Sequence, residues 1–191
     1  MKNITIDTNV LIDLEEKRNG FKEINSLIEL DNKKIVNLYF PAAIANEKYI
    51  DRKEIINFEV FNEYLRKIGL KKPKTLALLG YLGFNFFDEM FLFDEDGPEY
   101  QLAEKLIKIL FPNFQRDYKK FCIENVYDEN SDAMHPKFRN IFVDSLILWC
   151  HIHYKNDILL TRDENFRKKT SVTKEFKDIK ILSPKEFMEM I

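Results

Sequence analysis

Ile4-Thr5-Ile6-Asp7-Thr8-Asn9-Val10-Leu11-Ile12-Asp13 is an apolar strand that ends on a carboxylate and runs straight into a helical pattern. The arrangement returns near the other end of the chain, at Ile158-Leu159-Leu160-Thr161-Arg162-Asp163-Glu164-Asn165-Phe166. Two strands that each deliver an Asp at their C-terminal end predict one acidic site, because ligands of open α/β sheets bind outside the carboxyl ends of the strands. A site of carboxylate oxygens without histidine suits hard divalent cations.

Around the first motif, Lys2 to Ile6 reads as a buried parallel strand and Val10 to Lys17 as the following helix, with Asn9 or Thr8 as its cap. Asn19-Gly20 closes that helix, Phe21 to Leu30 forms a second one, and Ile35 to Phe40 is the next strand. Pro41 suits a first helical position and predicts a helix over Ala42 to Asp51. Around the second motif, Pro136 to Tyr154 is a predicted helix and Ile158 to Leu160 a strand. Glu164 to Lys169 follows as a short helix, Ile179 to Leu182 as a last strand, and Pro184 to Met190 as a closing helix capped by Ser183. From about Lys53 to Pro136 the periodicity is helical, with helices expected at Phe58 to Ile68, Thr75 to Leu82, Pro98 to Phe111 and Asn113 to Asn125. The expectation is an α/β fold, three-layer α/β/α around a central parallel sheet, as one domain over residues 1–191 with a helical insertion over 52–135.

The 191 residues are 45% hydrophobic and 14% aromatic, enough for a sizeable core. A formal charge of −2 excludes a globally basic nucleic-acid binder; a polyanion partner needs a local basic patch or bridging cations. Cys122 and Cys150 sit among apolar neighbours and read as free buried thiols of a reducing compartment. Asp7 and Asp13 interrupt the only N-terminal apolar run, so no signal peptide is read there, and no stretch approaches the roughly 18 apolar residues of a membrane span. The expectation is a soluble cytoplasmic protein with no membrane contact.

Two more carboxylates join the strand-end pair. Glu47 lies about two turns into the helix expected after the second strand, and Asp144 lies within the helix that precedes the Asp163 strand. Adjacent parallel strands would point all four into one crevice, where mutual repulsion is relieved by cations. Carboxylate oxygens suit Mg²⁺ or Mn²⁺. Two such ions about 4 Å apart activate a water and stabilise a leaving oxygen in phosphodiester cleavage.

Asp7-Thr-Asn-Val-Leu-Ile-Asp13, Pro41-Ala-Ala-Ile-Ala-Asn-Glu47, Asp144-Ser-Leu-Ile-Leu148, Leu160-Thr-Arg-Asp-Glu-Asn-Phe166 and Ile181-Leu-Ser-Pro-Lys-Glu-Phe187, in this order, resemble the PIN-domain nucleases over about residues 1–50 and 136–191. The resemblance implies a metal-dependent ribonuclease with a parallel sheet flanked by helices. Its metal-binding and catalytic carboxylates fall on Asp7, Glu47, Asp144 and Asp163, with Asn9 and Thr161 as supporting polar residues. It also implies RNA as substrate and products with a 5′-phosphate and a 3′-hydroxyl. Small relatives of this kind are often toxins held by an antitoxin, so an antitoxin or other protein partner, or a homodimer, belongs to the same expectation. The middle of the chain departs from the compact family members and adds Asp128 and Asp132 as further acidic candidates.

Plainer readings stand beside these. Asp7 and Asp163 also suit helix caps. Asp13 reads as a surface helix residue. Asp144 shares a helical stripe with Lys137, Asn140, His151 and Lys155, which reads as a solvated face. His151 and His153 point in different directions on one helix and read as surface or interface histidines rather than a zinc pair, and His135 has no assigned role. The run Phe84, Phe86, Phe87, Phe91, Phe93 reads as core or oligomer contact rather than a base-stacking platform. Lys71-Lys72-Pro73-Lys74 and Lys119-Lys120 read as solvated charge. Arg162, Arg167, Lys168 and Lys169 border the acidic site and are candidate nucleic-acid contacts. A non-catalytic scaffold that keeps the fold is the alternative function. An aspartyl-phosphate phosphatase needs a second Asp two residues after Asp7, where this chain has Asn9.

Overall fold

The computed structural model describes residues 1–18, 20–46, 49–50, 53–54, 58–80, 90–91, 94, 96–128 and 134–191. The chain opens with β1 (Lys2–Ile6), α1 (Thr8–Glu15), α2 (Phe21–Asn32) and β2 (Val36–Pro41). A 3-10 turn at Ala42–Asn46 follows, then β3 (Tyr49–Ile50) and β4 (Lys53–Glu54), an antiparallel pair. The middle holds α3 (Phe58–Lys67), β5 (Lys74–Leu76), β6 (Leu78–Leu79), β7 (Met90–Phe91), α4 (Pro98–Leu110) and α5 (Tyr118–Asn125). The tail is α6 (Pro136–His153), β8 (Ile158–Leu160), α7 (Glu164–Ser171), β9 (Ile181–Leu182) and α8 (Pro184–Met188).

Five strands form a parallel sheet in the order β5-β2-β1-β8-β9. The chain builds outward from β1 through β2 to β5, then returns to the other flank of β1 with β8 and β9. The direction reverses between β1 and β8, so the switch point of the sheet lies between the two strands that carry Asp7 and Asp163. Ile4, Thr5 and Ile6 face Ile158, Leu159 and Leu160, and all six are buried. Such unbroken burial means that both faces of these strands are covered, as parallel sheets require.

Thr5 Oγ1 lies 3.1 Å from His151 Nδ1 on α6, so the pleat puts Thr5 on the α6 face and Ile4 and Ile6 on the opposite one. Ile24, Leu27 and Ile28 give α2 the buried stripe that packs on β2. α6 is enclosed all round from Val143 to His151, except at the half-buried Asp144, because it lies against β1, β2 and β8 and also against α4. One apolar core runs from Ile4 to Phe187. A smaller cluster of Phe121, Cys122 and Phe138 seats α5 on the start of α6. Both cysteines are buried and free, as their neighbours predict.

The structure differs from the sequence expectation in the middle. The helix expected from Ala42 is a five-residue 3-10 turn leading to the β3–β4 pair, and Pro41 is the last residue of β2. Among the described residues of Thr75 to Leu82, expected as helix, lie β5 and β6 instead. Tyr39, Phe40 and Pro41 pair with Lys74, Thr75 and Leu76, and this tertiary pairing overrides the helical propensity of Leu and Ala. Residues 74–76 are therefore part of the central sheet rather than of an inserted helical segment. Of the Phe-rich run only Phe91 is described, and it is 45% exposed; the other four lie outside the described residues. Among the described residues no helix is long and apolar enough to cross a membrane.

Candidate functional site

Asp7 ends β1 and caps α1. Its backbone N–H donates to Leu160 O at 3.0 Å, which extends the β1–β8 ladder by one step and fixes the carboxylate at the strand junction. The side chain is 9% exposed. Oδ1 accepts from the Thr8 N–H at 2.6 Å, while Oδ2 accepts from Asn9 Nδ2 and from Thr161 Oγ1, each at 2.5 Å. All these donors are neutral. Burial pushes the Asp7 carboxyl up to about 6; the Thr161, Thr8 and Asn9 hydrogen bonds oppose that shift, and the negative charge of Asp163 adds to it.

Asn9 joins the two strand-end turns. Its Nδ2 reaches Thr161 Oγ1 at 2.9 Å as well as Asp7, and its Oδ1 accepts from the Arg162 N–H at 2.9 Å. Thr161 is fully buried, and its hydroxyl oxygen also accepts from the Asp163 N–H at 3.0 Å. Asp163 caps α7 through Oδ1, which accepts from Asn165 N at 2.8 Å and Phe166 N at 3.1 Å, and stays exposed. The polar lattice Asp7–Asn9–Thr161 at the C-terminal edge of the sheet thus holds the Asp7 carboxylate and the Asp163 backbone N–H. Both helix caps are present, as the plainer reading of Asp7 and Asp163 expects.

Glu47 and Asp132 lie outside the described residues. Asp144 is half-buried on α6, the helix against which the 3-10 turn before Glu47 packs. Asp128 lies just past the C-terminal cap of α5. Among the described residues no three His, Cys, Asp or Glu side chains are gathered closely enough to hold a metal ion.

The basic candidates are all engaged. Arg162 pairs through Nε with Asp13 Oδ2. Arg167 pairs with Glu186 at 2.7 Å, and Lys168 lies 3.8 Å from Glu164, one turn back on α7. Lys169 donates to Leu110 O at 2.6 Å and sits 4.6 Å from the Phe111 ring centre, so it tethers the end of α4. Arg167 and Lys168 also line a cavity of about 340 Å³ that runs from Glu164 to Ile181.

Two expectations are overturned by burial. Asp13 is fully buried, not a surface residue, and desolvation raises its carboxyl above the usual range although Arg162 pulls the other way. The signal was present in the sequence: Asp13 stands three residues after Val10, on the stripe that α1 buries. His151 is 3% exposed, so the polar stripe through Asp144 does not continue to it. Thr5 Oγ1 meets both its Nδ1 and Asn156 Nδ2, and burial holds the imidazole down to about 4. His153 stacks on Trp149 with ring centres 4.4 Å apart, and His135 caps α6 by accepting from Lys137 N.

No family model matches the chain, and a search of curated proteins returns no match.

Proposed function

We propose that the chain is a PIN-like, metal-dependent endoribonuclease. The observation that carries this reading is the pair Asp7 and Asp163 at the C-terminal ends of β1 and β8, on the two sides of the switch point, with Asp7 oriented by Asn9 and Thr161. The donor set fits Mg²⁺ or Mn²⁺. Asp7 offers a carboxylate that receives only neutral hydrogen bonds, and its raised proton affinity reflects a buried negative charge without a cation beside it. Asp7 and Asp163 would hold the ion, joined in this reading by Glu47 and Asp144. A divalent ion there would supply the charge that activates a water and stabilises the leaving oxygen in phosphodiester hydrolysis.

The protein's own part is positioning. Asn9 and Thr161 fix the Asp7 rotamer, the α7 N-terminus holds Asp163, and the cavity beside Arg167 and Lys168 offers a path for the RNA backbone. Arg162 and Lys169, committed to Asp13 and Leu110 O, contribute by holding the walls. A cytoplasmic location and a protein partner that covers the acidic edge, an antitoxin or a second copy of the chain, complete the reading. The two free, buried cysteines support the location.

Asp7→Asn and Asp163→Asn should each lower Mn²⁺-dependent cleavage of single-stranded RNA at least a thousandfold while leaving the thermal transition cooperative. Full activity in both variants refutes the proposal. A scaffold is the second reading, favoured by the lack of a three-ligand cluster among the described residues. It expects no heat of Mn²⁺ binding at millimolar concentration.

A further inference from the structure

Lys71-Lys72-Pro73-Lys74 has no part in the acidic site, yet it is folded into a concave surface at the opposite edge of the sheet. A cleft of about 280 Å³ opens there, beside the starts of β1 and β2 and the segment leading into β5. Its walls carry Lys34, Lys71, Lys72 and Lys74, together with Asp31 and Asn37. Lys74 is neutralised by Asp31, Nζ to Oδ1 at 2.8 Å, and this pair fixes one wall, because Asp31 is buried and also accepts from the Leu38 N–H. Lys34, Lys71 and Lys72 are exposed, and among the described residues no ion pair engages them. Three cations without an ion-pair partner among the described residues therefore line one cleft of a chain whose net charge is −2.

The chemistry of this lining is specific in kind. Lysine presents a compact charge without the planar fork with which arginine reads carboxylate or phosphate pairs, so it holds phosphates without fixing their orientation. Such contacts position a nucleic-acid strand and carry no sequence information. At about 280 Å³ the cleft is below the roughly 300–1,000 Å³ of typical small-molecule sites, which suits a passing backbone better than a resident cofactor.

We infer that this lysine cleft is a second RNA-binding surface, remote from the acidic edge, that grips phosphodiester groups of a single strand without regard to sequence. The choice of RNA rests on the nuclease reading above. The five residues of β1 put the two edges about 17 Å apart at a rise of about 3.3 Å per residue, so only RNAs that span this distance use both.

The test is fluorescence anisotropy of a fluorescein-labelled 20-nucleotide single-stranded RNA in EDTA. A Lys34→Glu/Lys71→Glu/Lys72→Glu variant should bind at least tenfold more weakly at low salt. The milder Lys34→Gln/Lys71→Gln/Lys72→Gln variant should lower the slope of log affinity against log salt by about 2, as expected for three lost phosphate contacts on a single strand. Thermal melting checks that both are folded. A control that reverses the exposed Lys119, Lys120 and Lys177 should bind as the parent does. Unchanged affinity in the cleft variants, an equal loss in the control, or tighter capture of labelled poly-glutamate than of RNA would each overturn the inference. The assay reads binding alone. Cleavage is read in a separate incubation with Mn²⁺ in place of EDTA. Binding in EDTA without cleavage in Mn²⁺ by the parent protein defeats the nuclease reading and leaves the cleft standing. Cleavage in Mn²⁺ with unaltered binding in the cleft variants defeats the cleft alone.

Discussion

Arg162 places its guanidinium on the carboxylate of Asp13 and thereby ties the turn after β8 to the first helix, one residue before Asp163 and six after Asp7. Asp13 is fully buried while the Arg162 side chain is 36% exposed, so the arginine serves as a lid over a charge that water does not reach. Arg162→Ala strands that charge. Breaking a fully buried pair costs about 3–5 kcal/mol, and solvent screening of Arg162 lowers the expected loss to about 2 kcal/mol. Urea unfolding measures it. Asp13→Asn in the same background should recover part of the loss, and a double variant no more stable than Arg162→Ala would show that the pair is not the cause.

Asp7 and His151 give the fold opposite responses to acid. The Asp7 carboxyl is raised from 3.8 to about 6, so the fold favours its protonated form, and stability falls as pH rises from about 4 to 6. The His151 imidazole is lowered from 6.5 to about 4, so its contribution is complete above 6.5 and is lost as pH falls towards 4. Each shift corresponds to roughly 3 kcal/mol, and the two largely cancel in the parent protein. Single variants unmask them. In EDTA, Asp7→Asn should gain roughly 3 kcal/mol relative to the parent between pH 4 and 7.5, and His151→Asn should gain a similar amount between pH 7 and 4. Differences that do not vary with pH would contradict both assignments.

Divalent ions should stabilise the protein through the acidic edge. Mn²⁺ at 100 times its dissociation constant adds about 2.7 kcal/mol, and the raised Asp7 carboxyl makes the effect weaken below pH 6 as protons compete. Differential scanning fluorimetry with and without Mn²⁺ reads this directly. Retention of the full shift in Asp163→Asn would place the ion elsewhere.

Val126 offers a stability gain unrelated to the site. It closes α5 in the left-handed region, φ 60° and ψ 44°, and is 92% exposed. A β-branched residue there is strained, and its side chain buries nothing in return. Val126→Gly should stabilise the chain by about 1 kcal/mol and raise Tm by about 2–4 °C. A lowered Tm would mean that the valine makes a contact that offsets the strain.

The two α/β ends were legible because each strand meets its cap in sequence. Ile4 to Asp7 and Ile158 to Asp163 announce strand, turn and helix within a few residues, and Ser183 with Glu186 forms the capping box that opens α8. Asn9 and Thr161, each a few residues from a strand end in sequence, do bond Asp7. Burial by partners distant in sequence was not legible. His151 looks like a polar helix position until Thr5, 146 residues away, is laid beneath it. Residues 74–76 look helical until β2 offers them a ladder. Asp13 carried a readable sign, an acid on an apolar stripe, but its cation lies across the fold on another turn.

The register of β1 against β8 also sets a clock. Thr161 reaches Asp7 across 154 positions, so a ribosome making 5–20 residues per second leaves the first aspartate without its hydroxyl partner for about 8–30 s. Throughout that interval one flank of β1 lacks its neighbour. A nascent or truncated chain that ends before Thr161 therefore carries an Asp7 carboxylate that lacks the hydroxyl donor it meets in the folded protein.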